Sequence, residues 1–257
     1  MSAVDELIQR GPAEALAGLL GVPVPERELP LCWHWVYLLD RPAQADLGRD
    51  GHPVRNHVPA PPEPGRRRMW AGGRVRSVAP LRFDEPATRR AAIVGTEDKQ
   101  GRSGRLTFVT VGHQVFQRGE LVVDERQDLV YRDPPAAPLA PDAEGEAALE
   151  DGDWSIDVTP PLLFRFSALT YNGHRIHYDR DYARDVEGYP GLVTHGPLQA
   201  LAMAEALRAC DAVGHDFAYR LVAPLFDHQG LVVRASASGD AAVFDRRGRQ
   251  TARATLS

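Results

Sequence analysis

Apolar residues mark out two runs of short segments along the chain, separated by a proline-rich stretch. In the first run, Arg74–Val78 alternates polar and apolar positions with the period of a half-buried strand. Arg89–Thr96 (RRAAIVGT) and Leu106–Phe116 (LTFVTVGHQVF) read as two more strands, and EDKQGRSGR between them has the Gly and charge density of a hairpin connection. Leu121–Val123 and Leu129–Tyr131 follow. The second run opens with strands at Trp154–Val158 and Leu162–Ala168. A polar stretch leads to Gly196–Ala209, the clearest helix of the chain. Ala218–Ala223, Gly230–Ala237 and Asp240–Phe244 then read as strands, and Arg246–Arg249 turns into a last one.

The long helix has a physical start. Thr194 stands near the cap, Gly196 has no side chain, and Pro197 is tolerated in the first turn, where its missing N–H has no intrahelical use. Leu198, Leu201, Ala202, Met203 and Ala206 supply apolar surface, and the alanines keep the helix thin. One long helix followed by antiparallel strands predicts an α+β layer in which a sheet wraps a central helix. The first run lacks an equivalent, because HPVRNHVPAPPEPGRRRMWAGG before its first strand is too proline-rich for a long helix. At the N-terminus, Val4, Leu7, Ile8, Ala15, Leu16, Leu19 and Leu20 fit a short amphipathic helical region broken near Gly11–Pro12. The expected organisation is a degenerate first unit (1–132), an acidic Pro/Ala linker (133–150) and a complete second unit (151–257).

Composition narrows the chemistry. With 257 residues, 43% hydrophobic and 25% charged, the chain is in the globular range. The formal charge of -5 argues against a nucleic-acid surface, which needs clustered positive charge. No apolar run approaches the roughly 18 residues of a membrane span. The N-terminus lacks a basic segment before an apolar block, so it does not read as a signal peptide, and the cytoplasm is the expected location. Cys32 and Cys210 are too far apart in sequence, and too isolated, to suggest a zinc ribbon, and read as small buried apolar residues. Lys99 is the sole lysine and sits in a polar turn, which disfavours Schiff-base chemistry, since that needs a desolvated amine. No G-x-G-x-x-G lies between a strand and a helix, so neither nicotinamide nor flavin is expected.

Reactive residue types are densest in FRFSALTYNGHRIHYDRDYARDVEGYPGLVTHG, residues 164–196, just ahead of the helix. A helix N-terminus offers unpaired N–H groups and partial positive charge. A thioester carbonyl placed there would be polarised, and a nearby histidine would activate water. The stretch resembles the hydratase 2 motif of the MaoC-like hot-dog family, an aromatic and small residue leading into Asp-x-Asn-Pro-aliphatic-His. Thr170 to His177 occupy that register. More closely, SALTYNGHRIHYD with YPGLVTHGPLQALAM resembles the branch of type 2 hydroxyacyl-thioester dehydratases and mesaconyl- or itaconyl-CoA hydratases. RRMWAGGRV and GRSGRLTFVTVGHQ resemble that branch's degenerate first half.

The resemblance implies a double hot-dog fold with one active site between the halves, acting on an acyl-CoA without a cofactor. It implies His177 as the water-activating base and the Gly196 amide as the thioester-oxygen site. Asn172 stands where the broader motif has its acidic residue. An amide cannot accept a proton as a carboxylate does, so Asn172 orients water or caps a turn, and Asp179 is a candidate for the second function. Arg175, at the motif's proline position, is either a solvated loop residue or the site of a second substrate carboxylate. Arg66, Arg67 and Arg68 are candidates for CoA phosphates, with Trp70 against the adenine or packed beneath the loop. Tyr171 and His195 are candidates for the substrate side, His195 alternatively fixing the loop before the helix. His174-x-x-His177 with Asp179 and His195 is too loosely spaced to predict a metal. A fatty-acyl thioester dehydratase, a thioesterase and a non-catalytic acyl-thioester-binding protein are the competing readings. A homodimer is expected only by analogy with the family.

Overall fold

A computed structural model describes residues 2–54, 66–101, 104–133 and 149–257. Alternating burial along the strands, clearest in Gly104–Gln117, lets one face of a sheet close on a core while the other meets solvent. Among the described residues ten strands form that sheet, every neighbouring pair antiparallel. They are β1 (Ser2–Leu7), β2 (Arg67–Ser77), β3 (Pro86–Gly101), β4 (Gly104–Gln117) and β5 (Glu120–Arg132) in one half. The other half holds β6 (Trp154–Ile156), β7 (Asp216–Leu221), β8 (Leu231–Ala235), β9 (Asp240–Phe244) and β10 (Gln250–Leu256).

The strand order is β1-β3-β4-β5-β2-β7-β10-β9-β8-β6. Outward from the seam each half runs through its second, fifth, fourth, third and first strand, so the two halves repeat one topology. β2 and β7 form the seam, pairing from Gly72 opposite Arg220 to Arg76 opposite Asp216. The architecture is an α+β double hot-dog.

The second half wraps α3 (Gly196–Ala209), which packs on β8, β9 and β10 and is buried almost all round from Leu198 to Glu205. Polar residues on this helix are paired: Thr251 Oγ1 donates to Gln199 Oε1 at 2.8 Å, and Trp33 Nε1 donates to Glu205 Oε1 at 2.7 Å. In the first half, among the described residues, a single 3₁₀ turn, Trp33–Val36, packs against α1 (Arg10–Leu20). Cys32, before that turn, is fully buried, and its thiol is pushed up by desolvation; Cys210 is only half-buried.

Two elements differ from the sequence reading. Ser2–Leu7 is a strand with alternating burial, paired to Pro86–Ala91 of β3, and α1 (Arg10–Leu20) begins only after it. Pro12 does not break that helix, because it lies in the first turn, where no N–H is required. Leu162–Ala168 is helical, within α2 (Pro160–Leu169), not a strand. The Thr159 hydroxyl caps it by accepting from the Leu162 N–H at 3.3 Å, and two prolines open it. A short apolar run does not distinguish the two periods by itself. Most of the expected linker, residues 134–148, lies outside the described residues.

The helical period of α2 is directly testable. Phe166 is fully buried whereas Phe164, which would share its face in a strand, is 61% exposed. Phe166→Ala should destabilise by about 3–5 kcal/mol and Phe164→Ala by under about 0.5 kcal/mol in urea unfolding.

Candidate functional site

The loop after α2 turns back at once. Tyr171 adopts a left-handed φ of 52°, and the Asn172 side chain accepts from the His174 N–H at 3.0 Å, a local turn cap. This brings His174 and His177 beside a cavity of about 890 Å³ between the two halves, lined by residues of both. His177 is buried, and its Nδ1 lies 2.7 Å from the Val193 carbonyl. A carbonyl only accepts, so Nδ1 carries the proton and Nε2 keeps its lone pair. Desolvation pulls the His177 pKa down to about 4, only partly opposed by the Val193 contact. The imidazole is therefore a neutral base at pH 7.

Behind it, His195 is fully buried, stacks on His177 with ring centroids 3.6 Å apart, and its Nε2 meets Ser167 Oγ at 2.8 Å. His195 does not line the cavity; it supports His177, and the expectation that it touches substrate is corrected. Gly196, the first residue of α3, does line the cavity. A Cβ there would fall 2.2 Å from Leu221 Cδ1, so a larger residue would have to push that side chain aside. Trp70 walls the same corner and donates to Tyr219 Oη at 2.9 Å, which fits the packing role. Tyr171 lines the cavity and remains exposed.

The arginines sort differently from expectation. Arg66 is buried and committed to Thr107 Oγ1, the Arg105 and Tyr131 carbonyls and Asp133. Arg67 is buried against Glu187 at 2.7 Å, so neither is available to CoA phosphates. Arg175 is outside the cavity lining: Nε and Nη2 donate to Asp179 Oδ2 at 3.0 and 2.7 Å, and Nη1 donates to the Arg49 carbonyl at 3.1 Å. With its guanidinium over the Tyr182 ring, it holds protein and not a substrate carboxylate. Asp179 is lost as the second acid/base for the same reason; the Tyr182 N–H and Arg175 hold its carboxyl below the usual range. Arg68 is the member of the basic triplet that lines the cavity, and its charge helps depress His52 and His174.

His52 and Asp50 were missed in the sequence because they belong to the proline-rich stretch of the first half. Asp50 Oδ1 accepts from the His52 N–H at 3.0 Å and Oδ2 lies 2.9 Å from His52 Nδ1. The His52 ring is 4.0 Å from that of His174, which is 5.4 Å from that of His177. The loops meet at two glycines: a Cβ on Gly51 would lie 1.8 Å from the Gly173 oxygen. Among the described residues, donor atoms of Asp50, His52 and His174 lie within 4.8 Å of one another and could surround a small cation; the set weighed from sequence does not converge.

Four histidines at this site are held below their usual pKa, His52, His174, His177 and His195, with desolvation the largest cause for each. A depressed histidine stays neutral in the fold while the unfolded chain takes up protons, so stability is lost as pH falls from about 6.5 towards 4. For His177 alone the loss approaches about 3 kcal/mol. Tm measured by calorimetry should fall steeply across that window; a flat profile would contradict the neutral cluster.

The sequence profile described as hydroxyacyl-thioester dehydratase type 2 matches residues 32–227. The mesaconyl-C(4)-CoA hydratase of Chloroflexus aurantiacus is 47% identical over 224 residues, covering 86% of this chain and 79% of that protein. The mitochondrial hydroxyacyl-thioester dehydratase type 2 of Schizosaccharomyces pombe is 25% identical over 81% of this chain and 78% of its own. Among solved structures, HtdX of Mycobacterium tuberculosis superposes with a TM-score of 0.69 at 14% identity, covering 100% and 99% of the two chains. A MaoC-like dehydratase of Phytophthora capsici gives 0.69 at 14% identity over 100% and 94%, a likeness of fold. With three quarters of its length matched, the chain belongs to the type 2 hydroxyacyl-thioester dehydratase family of MaoC-like hot-dog hydro-lyases.

Proposed function

We propose that this acyl-CoA hydratase acts on a short enoyl-CoA bearing a second carboxylate, of the mesaconyl-C4 type, or catalyses the reverse dehydration. The observation that carries the proposal is one cavity lined by the neutral His177, the Gly196 helix start and the Arg68 guanidinium. The C. aurantiacus relative supports the acyl group. In a C4 thioester of mesaconic acid the free carboxylate is attached to the carbon that water attacks. A cation is then needed beside the reacting carbons. Arg68, electrostatically close to His52 and His174, meets that need, whereas Arg175 does not.

In the proposed reaction the Nε2 of His177 takes a proton from water as oxygen bonds to the β-carbon. The π pair moves towards the thioester carbonyl, and the Gly196 amide at the positive end of α3 holds the enolate oxygen. His177 then returns the proton to the α-carbon. Asn172 keeps the loop in shape through its turn cap, and Tyr171 borders the substrate. No metal, nicotinamide or flavin enters the scheme.

The test compares crotonyl-, mesaconyl-C4- and itaconyl-CoA, following enoyl absorbance and free thiol. Loss of absorbance without thiol release is expected, fastest for mesaconyl-C4-CoA. Thiol release would indicate a thioesterase, and preference for crotonyl-CoA would favour a straight-chain dehydratase. His177→Ala should lower kcat by about 10²–10⁴-fold. Arg68→Met should lower kcat/KM for the dicarboxylic substrate by about 30- to 1,000-fold and for crotonyl-CoA by less than about tenfold. An equal loss on both would remove Arg68 from substrate selection. Because the base is already neutral above pH 5, the acid limb of kcat/KM should fall near pH 4 and not near 6.5.

A further inference from the structure

The motif that supplies His177 has lost its carboxylate. Asn172 spends its carbonyl oxygen on the His174 N–H, and Asp179 spends itself on Arg175 and Tyr182. A second proton acceptor reaches the same cavity from the other half of the molecule. Asp50 grips His52 twice, at the backbone N–H and at Nδ1, with separations of 3.0 and 2.9 Å. A carboxylate can only accept, so Nδ1 carries the proton and the lone pair is left on Nε2. That ring lines the cavity and shares a wall with His174 and His177. The groups facing it are Asp50, Arg68, His174 and His177.

We propose that His52, oriented by Asp50, is the second catalytic residue of the hydration and holds the nucleophilic water together with His177. The inference rests on the hydratase reading above. Each imidazole Nε2 accepts one O–H of the same water, which aims the oxygen lone pair at the β-carbon. As the oxygen–carbon bond forms, the O–H bond facing His177 breaks and its proton moves to Nε2. The alkene π pair becomes the enolate. The enolate then takes that proton at the α-carbon and the thioester carbonyl reforms. The hydrogen held by His52 stays on oxygen and becomes that of the product hydroxyl. Both histidines begin and end neutral, and the net change is the addition of one water. Asp50 is a positioning residue: by accepting from Nδ1 it fixes the tautomer and polarises Nε2 into a stronger acceptor.

The neutral state this requires fits the surroundings. Burial, with the positive charge of Arg68 and the neighbouring His177, holds His52 well below its ordinary pKa. A neutral imidazole in place of a carboxylate also avoids placing an anion beside the substrate's own carboxylate. This gives a chemical reason for a chain with Asn172 to recruit a histidine and not another acid.

The experiment uses the full-length protein and the enoyl-CoA that the wild type turns over fastest. His52→Ala should lower kcat by about 10²–10³-fold with KM within about threefold, and added imidazole should restore at least about tenfold. His52→Gln, which keeps an acceptor, should retain more activity than His52→Ala. Asp50→Asn should lower kcat by about tenfold. Tm and binding of butyryl-CoA should match the wild type in each variant, which separates lost chemistry from lost fold. Full activity of His52→Ala, or a loss that appears in KM and Tm without imidazole rescue, would overturn the proposal while leaving the hydratase reading intact. Activity abolished by dialysis against a chelator and restored by zinc would also overturn it, assigning Asp50, His52 and His174 to an ion. Failure of the wild type to hydrate any enoyl thioester would instead fail the underlying reading.

Discussion

Two backbones cross at Gly51 and Gly173, and the site depends on how closely they do so. A Cβ on Gly51 would lie 1.8 Å from the Gly173 oxygen, and one on Gly173 would lie 2.8 Å from the Gly51 oxygen. Gly51 also has a φ of 86°, which side chains rarely adopt. The Arg175 N–H donates to the Asp50 carbonyl at 2.9 Å, and its guanidinium reaches the Arg49 carbonyl. The crossing thus pins a loop of the first half onto the motif loop of the second. Any larger residue would force the two apart by more than the few tenths of an ångström that a catalytic arrangement tolerates. Arg175 acts here as a strut, which explains why it is spent on protein partners.

That contact sets the electrostatics as well. It places His52 against His174, and so builds a row of imidazoles running from His52 through His174 and His177 to His195. Four imidazoles, three of them buried and His52 largely so, cannot share several protons: each charge would have to be desolvated and would repel the next. The row therefore stays neutral, and Arg68 beside it keeps it so. Neutral imidazoles are acceptors, which is the state a water-activating site needs. The same desolvation that makes the cluster useful makes it a liability in acid, because unfolding is the route by which these groups gain protons.

Much of this was legible in the sequence, for identifiable reasons. Gly196–Pro197 opening an alanine-rich stretch specifies a thin helix pressed on a sheet, and α3 has the expected bounds. Strand β9 was also found to the residue, and the motif around His177 and Gly196 located one wall of the cavity. What failed were choices that local pattern cannot make. Leu163, Phe166 and Ser167 are buried at helical spacing in α2, yet the run is too short to exclude a strand. The RRR triplet looked uniform, but Arg66 and Arg67 are fixed by carbonyls and carboxylates distant in sequence, which leaves Arg68 alone at the cavity. Asp50 and His52 had no motif to mark them. Their meaning comes from a contact over 100 residues away in the chain, and only the fold supplies it.

The 3₁₀ turn of the first half ties that half to the second beside the cavity. The turn Trp33–Val36 is held by two buried carboxylates: Trp33 Nε1 binds Glu205 of α3, and His34 and Trp35 bind Glu125 of β5. Burial alone would raise the Glu125 pKa, but His34, His113 and Trp35 around it leave it below the usual value, so it stays an anion able to hold the turn. The turn places His34 and Trp35 on the wall of the cavity, whose volume of about 890 Å³ suits a ligand of substantial size. The loop that follows the turn then brings His52, held by Asp50, to the same cavity, so each half contributes an imidazole to its wall.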